Sequence, residues 1–501
     1  MQHRWLPLAL LCLSLPAADL RSTVESYVAA RQGPIVAELA ALLAIPNVAA
    51  DRVNIRRNAE HLKGMLERRG LAAQILETAG NPLVWGERKT PGARRTVLFY
   101  IHYDGQPVDP SRWRQASPFQ PLLRDGRMED GAHEVDLAGR AKFDDNWRIY
   151  ARSASDDKSP AVAFCTALDA LAAAGRQPGI NIRVILDGEE EAGSPSLTAA
   201  IERYRPKLEA DVALILDGPL HPSGRPTLTF GARGSLALEL TVYGPKFALH
   251  SGHYGNWAPN PALRLAQLLA SMKDEHGRVL IEGFYDGVDP LKPEDRRILE
   301  AVPDDLPGLQ KLFGIARPDA VGESLQEALQ FPSLNIRGFR SGYTGGDART
   351  IIPSEAIAAV DVRLVKETPS GPMLEKVLAH IRRQGYQIVD GEPDDAARLK
   401  HPKIVRLSRR DATEAYRTEM DLPQSVLVTE ALRRIWGAEP VRLRTSGGTV
   451  PLSPFIRAMG FPAIGVPTVN FDNNQHSENE NLRLGHFFRA IVTMAALLAM
   501  E

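Results

Sequence analysis

The chain contains very little cysteine, because Cys12 and Cys165 are the only two in its 501 residues. Net charge is also almost absent, at −1, and no basic stripe runs along the sequence. That balance gives no support for nucleic-acid binding, and the lack of any Gly-Lys dipeptide argues against a Walker-type phosphate loop. The composition therefore favours a small-molecule or peptide substrate.

A membrane-spanning run is lacking at the N-terminus, since the apolar stretch WLPLALLCLSLPAAD after MQHR is too short to cross a bilayer. It ends in small residues that a signal peptidase could cut. We therefore predict a secretion signal over residues 1–18, a secreted or periplasmic protein, and no stable membrane insertion. The alternative is an N-terminal segment packed on the body. Removal of the signal would leave only Cys165, which excludes an intramolecular disulfide.

A first candidate site lies in TVLFYIHYDGQP, where an apolar, strand-like run ends at His102. Because strand side chains alternate, Asp104 leans to the same side as His102 and can hold the far nitrogen of its ring. A metal-bound histidine usually needs such an acceptor, so the pair suits a ligand and its orienting carboxylate. Taken alone, a His-x-acid pattern is also expected by chance.

Two further acidic clusters lie next to predicted helices or strands. Asp156 and Asp157 precede the amphipathic helix AVAFCTALDALAAAG, where the simpler interpretation is helix capping. Glu190 and Glu191 follow the buried strand RVILD, where successive glutamates would ordinarily form a solvated turn. A metal site would need one carboxylate on the ion and its neighbour free beside a water molecule.

Asp217 and His476 complete the candidate set. Asp217 ends the apolar strand DVALILD, and His476 lies in the polar loop NFDNNQHSENEN after the strand-like PAIGV. A surface histidine is the simpler interpretation of His476. Side chains at the strand ends of an open α/β sheet gather at one edge, where such folds place their active sites. Together the candidates supply five metal ligands and a general base, which are the parts of a two-metal hydrolase.

In this order, the motifs resemble the carnosinase-type co-catalytic metallopeptidases, a family that includes dipeptidases, glutamate carboxypeptidases, aminoacylases and succinyl-diaminopimelate desuccinylase. The resemblance extends from about His102 to Glu480 and includes HYDGQPVDPSRW, HSGHYGNWAPNP, TIIPSEAIAAVDVRLV and SGGTVP. Two positions depart from the family pattern. Ser159 replaces the glycine of Asp-Asp-Lys-Gly, and Gly105 replaces a common valine, but neither is a predicted ligand.

The resemblance implies two divalent metal ions per chain, with zinc expected and manganese or cobalt as alternatives. The implied ligands form two sets that share a bridging aspartate, namely His102, Asp156 and Asp217 for one ion, and Asp156, Glu191 and His476 for the other. A cis peptide bond would join Asp156 to Asp157. Glu190 would be the general base that takes a proton from the attacking water and passes it to the departing amine.

The resemblance also gives roles to residues beyond the ligand motifs. In a homodimer, His250 would reach into the partner's active site and polarise the scissile carbonyl; the alternative is a hydrogen-bonded surface histidine. Arg363 would grip a substrate carboxylate, for which its planar fork is suited, and a solubilising strand-edge charge is the alternative. Gly447, Gly448 and Thr449 would let the backbone approach the substrate, although a tight turn explains the glycines equally well.

The spacing of the motifs predicts two domains, which the length of the chain also favours. No ligand candidate falls between Asp217 and His476, so this segment is interpreted as containing an insertion. We predict an α/β catalytic domain over residues 19–231 and 397–501, with a mixed, mostly parallel sheet flanked by helices. Residues 232–396 would form an inserted α+β lid and dimerisation domain, with two helices on one face of a small, mostly antiparallel sheet.

Three functional hypotheses follow from these observations. The first is a metallo-dipeptidase or carboxypeptidase that releases an amino acid from small peptides, favoured by HYDGQPVDPSRW and Arg363. The second is an N-acyl-amino-acid deacylase that uses the same chemistry on another acyl group. The third is a metal-free relative retained as a binding protein, against which the complete ligand set and Glu190 argue.

Overall fold

The structure is a computed structural model that describes residues 17–449 and 452–501. Except for its last two residues, the predicted secretion signal lies outside the described residues. In the described ranges, the catalytic domain has the helices α1 (Ala17–Leu43), α2 (Arg52–Glu67), α3 (Lys158–Ala173), α4 (Leu197–Leu208), α12 (Pro423–Trp436), α13 (Ser453–Met459) and α14 (Leu484–Leu498). None of the described helices is long and apolar enough to span a membrane.

A mixed sheet forms the centre of the catalytic domain. From one edge to the other, its strands are β1 (Ala72–Leu76), β2 (Leu83–Arg88), β7 (Asn181–Asp187), β3 (Thr96–His102), β8 (Val212–Ile215), β20 (Ala463–Gly465), β9 (Thr227–Thr229) and β19 (Val441–Leu443). The central run β7, β3, β8 and β20 is parallel, and the antiparallel pairs involve β1, β2 and β9. The prediction of a mixed, mostly parallel sheet flanked by helices is confirmed.

The apolar run that precedes His102 reflects the central place of β3 in this sheet. Val97, Phe99 and Ile101 point to one face and pack in a core shared with α1, α2, α3 and α14. Leu98 and Tyr100 point to the other face and pack against α4 and α13. A strand covered on both faces is apolar throughout rather than alternating, and its polar residues begin only where the strand ends.

A smaller sheet of the catalytic domain supports the segment that carries Asp156. Its strands, in order, are β21 (Asn481–Arg483), β6 (Arg148–Tyr150), β4 (Leu122–Arg124) and β5 (Glu134–Val135). Residues 151–157 connect β6 to α3 and follow the edge of the site. This sheet therefore joins the C-terminal loop before β21 to the segment before α3.

The inserted domain has its own sheet and its own hydrophobic core. The sheet order is β13 (Ser333–Arg340), β15 (Glu355–Leu364), β11 (Gly234–Tyr243), β17 (Ile404–Arg409) and β16 (Gln387–Val389), with a separate pair formed by β12 (Leu249–His250) and β14 (Ile351–Ile352). Its helices are α5 (Ser251–Tyr254), α6 (Pro261–Met272), α7 (Pro293–Glu300), α8 (Leu306–Phe313), α9 (Leu325–Ala328), α10 (Ser370–Arg383) and α11 (Asp395–Lys400). Only the β16–β17 pair is parallel.

Helices α6 and α10 bury their apolar stripes against the same face of this sheet. In α6, Asn260 caps the first turn by accepting hydrogen bonds from the N–H groups of Ala262 and Leu263. Leu265, Leu268, Leu269 and Met272 then recur at helical spacing and are buried. Residues of α10 share their core, so the predicted arrangement of two helices on a small, mostly antiparallel sheet is present.

The predicted domain boundary at residue 396 is too early. β17 begins at Ile404, eight residues beyond that boundary, and pairs with β11 in the inserted sheet. The polar sequence before β17 suggested a return to the catalytic domain, but the strand is exposed towards its end and therefore lacks a long apolar signal. The two crossings between the domains lie side by side, as β10 (Gly231–Ala232) and β18 (Tyr416–Arg417).

Candidate active site

The predicted ligands and base gather where parallel strands of the main sheet end. His102 is the last residue of β3, Asp217 lies two residues beyond β8, and Glu190 begins a short 3₁₀ turn after β7. Because these three strands are neighbours, their carboxyl ends present the side chains along one edge. Asp156 reaches this place from the segment before α3, and His476 from the loop before β21.

Two groups of ligand-type side chains meet at Asp156. The first contains His102, Asp156 and Asp217, the second contains Asp156, Glu191 and His476, and the ligand atoms within each group lie within 4.8 Å of one another. One Asp156 oxygen lies 2.8 Å from Nε2 of His102, and the other lies 3.0 Å from Nε2 of His476. Imidazole nitrogens and carboxylate oxygens without thiolate are donors that zinc, manganese and cobalt accept, so these residues fit the expected metals.

Asp104 ties the histidine of β3 to the turn that carries the two glutamates. Nδ1 of His102 lies 3.2 Å from the backbone carbonyl oxygen of Asp104 and 3.4 Å from its buried carboxylate. The Asp104 carboxylate also accepts hydrogen bonds from the backbone N–H groups of Glu190 and Glu191, each at 3.0 Å. Gln106 then donates to the Glu191 carboxylate at 2.6 Å. Nothing in the sequence indicated that Asp104 would bind these backbone N–H groups or that Gln106 would donate to Glu191.

The enclosed carboxylates of the site have strongly displaced pKa values. Burial raises the pKa of Glu190 well above its usual range, although the neighbouring His102 acts in the opposite direction. Burial and the charge of Asp156 raise the pKa of Glu191 to about 7 and that of Asp217 to about 6. Burial also disfavours the charge of Asp156, yet hydrogen bonds from His102 and His476 hold its pKa below the usual value. A raised pKa suits a side chain that must carry a proton near neutral pH.

The segment around Asp156 is held by a glutamate that the sequence interpretation left without a role. Glu480 is fully buried and accepts hydrogen bonds from the backbone N–H groups of Ser153, Ser155 and Asp156, each at 2.9 Å. Its carboxylate also pairs with Arg152 at 2.8 Å. The peptide bond between Asp156 and the next residue is cis, as the resemblance implied. Glu480 is the last residue of the motif His-Ser-x-Asn-Glu, which begins at His476. Its place in that motif was the one feature of the sequence that pointed to it.

Replacing Glu480 with Gln should weaken metal affinity by about 10- to 100-fold, the range measured for partners that orient metal ligands. Both carboxylate oxygens of Glu480 accept hydrogen bonds, whereas a glutamine side chain has only one accepting oxygen. The segment that carries Asp156 would therefore lose part of its support. Competitive metal titration with a chromophoric chelator would measure the change. Glu478→Gln is the matched control, because Glu478 is in the same loop but pairs with the exposed Arg112. Equal affinities for both variants would contradict this role for Glu480.

The two departures from the family pattern are accommodated without touching a ligand. A side chain at Gly105 would place its Cβ 2.3 Å from Oγ of Ser153 and 3.2 Å from Nδ2 of Asn47. Asn47 donates to Ser153 at 2.8 Å, so this polar pair occupies the space that a valine would need. Ser159 is buried in the first turn of α3.

The structure brings Arg363 and Thr449 together but leaves His250 apart from the ligands. Arg363 on β15 donates from Nη1 to Oγ1 of Thr449 at 2.7 Å. His250 is exposed and accepts from the N–H group of Gly252, and among the described residues no hydrogen bond or ion pair joins it to a metal ligand. A Cβ at Gly448 would have only Oγ of Ser446 nearby, at 3.9 Å, so the protein itself does not require glycine there.

The fold and the site together define a metal-dependent hydrolase whose α/β catalytic domain carries an inserted α+β domain. A model of peptidase family M20/M25/M40 matches residues 98–500, and the chain belongs to this family. The protein is therefore a metal-dependent peptide hydrolase, and the resemblance drawn from the sequence motifs is confirmed.

Relatives of the chain match it over most of its length. It is 24% identical to Cys-Gly metallodipeptidase DUG1 of Candida albicans, over 97% of both chains. It is 26% identical to Beta-Ala-His dipeptidase of Homo sapiens, over 83% of this chain and 76% of the relative. Among solved structures, an M20 family metallo-carboxypeptidase of Sulfolobus solfataricus is 30% identical, with a TM-score of 0.74 and coverage of 93% of this chain and 98% of that one.

Proposed function

We propose that the protein is a dipeptidase that hydrolyses the amide bond of dipeptides or small peptides, with two divalent ions per chain and Glu190 as general base. The observation that carries the proposal is the meeting of two ligand groups at Asp156, beside a glutamate that belongs to neither group. The substrate class is supported by two relatives that are named as dipeptidases and that match 97% and 83% of this chain. Zinc is the expected metal.

When bound, the two ions would supply Lewis-acid chemistry that lowers the pKa of the attacking water and polarises the substrate carbonyl. Glu190 accepts the proton of that water and delivers it to the departing amine. Asp104 fixes the position of Glu190 through its backbone N–H group. Arg363, braced by Thr449, binds the carboxylate of the substrate.

The second candidate function is the hydrolysis of N-acyl amino acids by the same site. Arg363 would hold the carboxylate of either substrate, because a dipeptide and an N-acyl amino acid share that group. The complete ligand set and Glu190 argue against a third hypothesis, a metal-free binding protein. A panel of dipeptides and N-acyl amino acids tests the proposal: higher kcat/KM on the dipeptides supports it, and turnover of the N-acyl amino acids alone overturns it.

The apolar N-terminal sequence also supports the proposal that the protein is secreted or periplasmic, with a signal over residues 1–18. N-terminal sequencing of the protein recovered from the periplasm or medium tests this. A homodimer is proposed as well, because His250 lies exposed on the inserted domain, where it is free to serve a partner chain.

Mixing two inactive variants should restore activity if His250 acts across a dimer interface. Neither His250→Ala nor Glu190→Gln should turn over well as a homodimer, because each lacks one group at both sites. A heterodimer would combine the intact Glu190 of one chain with the intact His250 of the other, and should recover about half of wild-type activity. Differently tagged chains, co-expressed and purified by both tags, allow this measurement. If a verified heterodimer is inactive, His250 acts within its own chain or takes no part in the reaction.

A further inference from the structure

Arg233, on the first crossing between the two domains, is a buried arginine with no assigned role. It is 7% exposed, and its Nη2 donates to the carbonyl oxygen of Phe331 at 2.7 Å and to Oγ of Ser333 at 2.9 Å. Its Nε is buried without a hydrogen-bond partner among the described residues. Burying a charged group in this way is costly unless its charge is used or compensated.

The contacts of Arg233 surround the groups proposed to bind the substrate carboxylate. Ser333, to which it donates, stands opposite Arg363 in the pairing of β13 with β15. On its other side, the backbone N–H of Arg233 donates to the carbonyl oxygen of Ser446 at 3.2 Å, at the start of residues 446–449. Thr449, in the same segment, accepts a hydrogen bond from Arg363, and this contact completes a ring that runs from Arg233 to Arg363 and back. Arg233 thus contacts both neighbours of Arg363: Ser333 on the adjacent strand β13 and the segment 446–449.

The charges in this ring are unbalanced. Burial and the nearby charge of Arg363 lower the pKa of Arg233 to about 10, and Asp361 acts in the opposite direction. Asp361 already accepts from Nε of Arg363 at 3.1 Å. Two guanidinium groups therefore share one carboxylate among the described residues. The side chain of Arg363 is 34% exposed, so an incoming anion can reach it, whereas Arg233 is buried.

We propose that Arg233 is a positioning and specificity-determining residue that makes the site select substrates with a free carboxylate. Its side chain holds Ser333, the residue opposite Arg363, and adds a second positive charge near that of Arg363. A carboxylate bound at Arg363 supplies the missing counter-charge, whereas a neutral C-terminal amide does not. The proposal rests on the proposed function and adds to it a residue that supports the carboxylate-binding side chain Arg363.

The test compares the best-cleaved dipeptide with its C-terminal amide. In Arg233→Met, KM for the free acid should rise by about tenfold, because the buried positive charge near Arg363 is lost. KM for the amide, kcat and metal content should stay near wild-type values. Arg233→Lys keeps the charge and should retain most of the preference for the acid. Parallel increases in KM for both substrates, or a fall in kcat alone, would overturn the proposal.

A matched control and a second variant separate this effect from loss of folding. Arg398→Met removes another largely buried guanidinium of the inserted domain, one that donates to the carbonyl oxygens of Pro393 and Gly244 and has no contact with Arg363. Its ratio of acid to amide KM should be unchanged. If Arg233→Met does not fold, Ser333→Ala removes one hydrogen-bond partner of Arg233. It should still raise the ratio of the acid KM to the amide KM several-fold. An unshifted ratio would count against the proposal.

Binding measurements distinguish failure of this inference from failure of the proposed function. Calorimetric titration of the acid and the amide into Glu190→Gln, with and without Arg233→Met, requires no turnover. If the wild-type protein cleaves no dipeptide, the proposed function fails, and the titration still reports on Arg233. Preference for the acid that is lost with Arg233→Met supports the inference. Equal binding of acid and amide by Glu190→Gln alone overturns it.

Discussion

Replacing Glu190 with Gln should lower kcat by about a hundredfold or more while both metal ions stay bound. The amide has the shape of the carboxylate but cannot accept a proton from the attacking water. Glu190 belongs to neither ligand group around Asp156, so its loss should leave metal binding intact. Steady-state kinetics combined with elemental analysis of the same sample measures both quantities.

The run of three glutamates provides its own control for this prediction. The carboxylate of Glu189 accepts from the backbone N–H groups of Asn81 at 3.0 Å and Ser196 at 2.7 Å, so it holds the turn rather than facing the ligands. Glu189→Gln should therefore reduce stability more than kcat. Near wild-type activity of Glu190→Gln would show that the base has been assigned to the wrong residue.

Removing the metal should abolish activity, and the effect should depend on which ligand is lost. Dialysis against a chelator should stop peptide hydrolysis, and zinc or manganese should restore it. Asp156→Ala should lose both ions, because Asp156 belongs to both groups of ligands. His476→Ala should chiefly weaken one ion, since it belongs to one group. The wild-type protein should contain close to two ions per chain.

Stoichiometry and activity together decide this prediction. Titration of the metal-free protein with zinc should give activity that follows occupancy of the sites that contain Asp156. Full activity at negligible metal content would refute the metal centre. Two retained ions in Asp156→Ala would show that this carboxylate does not bridge the two ligand groups.

The motifs of the catalytic domain could be located from the sequence because the main sheet is parallel and covered on both faces. Each strand is then an apolar run, and the polar residue that ends it marks the active-site edge. His102, Glu190 and Asp217 are all found in this way. Asp156 and His476 lie outside the parallel strands; their motifs were visible in the sequence, but capping and a surface position explained them equally well until the family resemblance gave them roles as ligands.

The limits of the inserted domain were less accessible. β17 is short, loses its burial towards its end and follows a polar stretch, so neither hydrophobicity nor length marks it. Helices α7, α8 and α9 span eight residues or fewer, which is too short for helical periodicity to stand out. The sheet itself was predictable because β11 is long and its apolar residues alternate.

The sequence by itself determined which residues are ligand types and that several of them follow strands of an α/β sheet, and the family resemblance supplied the roles expected of Glu190 and Glu191. Only the tertiary structure decided how these groups are held. Glu480 reaches backbone N–H groups more than 300 residues away in the sequence, Asp104 supports the turn of Glu190, and Arg233 donates to Ser333, the residue opposite Arg363 in the inserted sheet. Backbone donors are the same in every residue, so a side-chain pattern does not reveal which carboxylate they will meet.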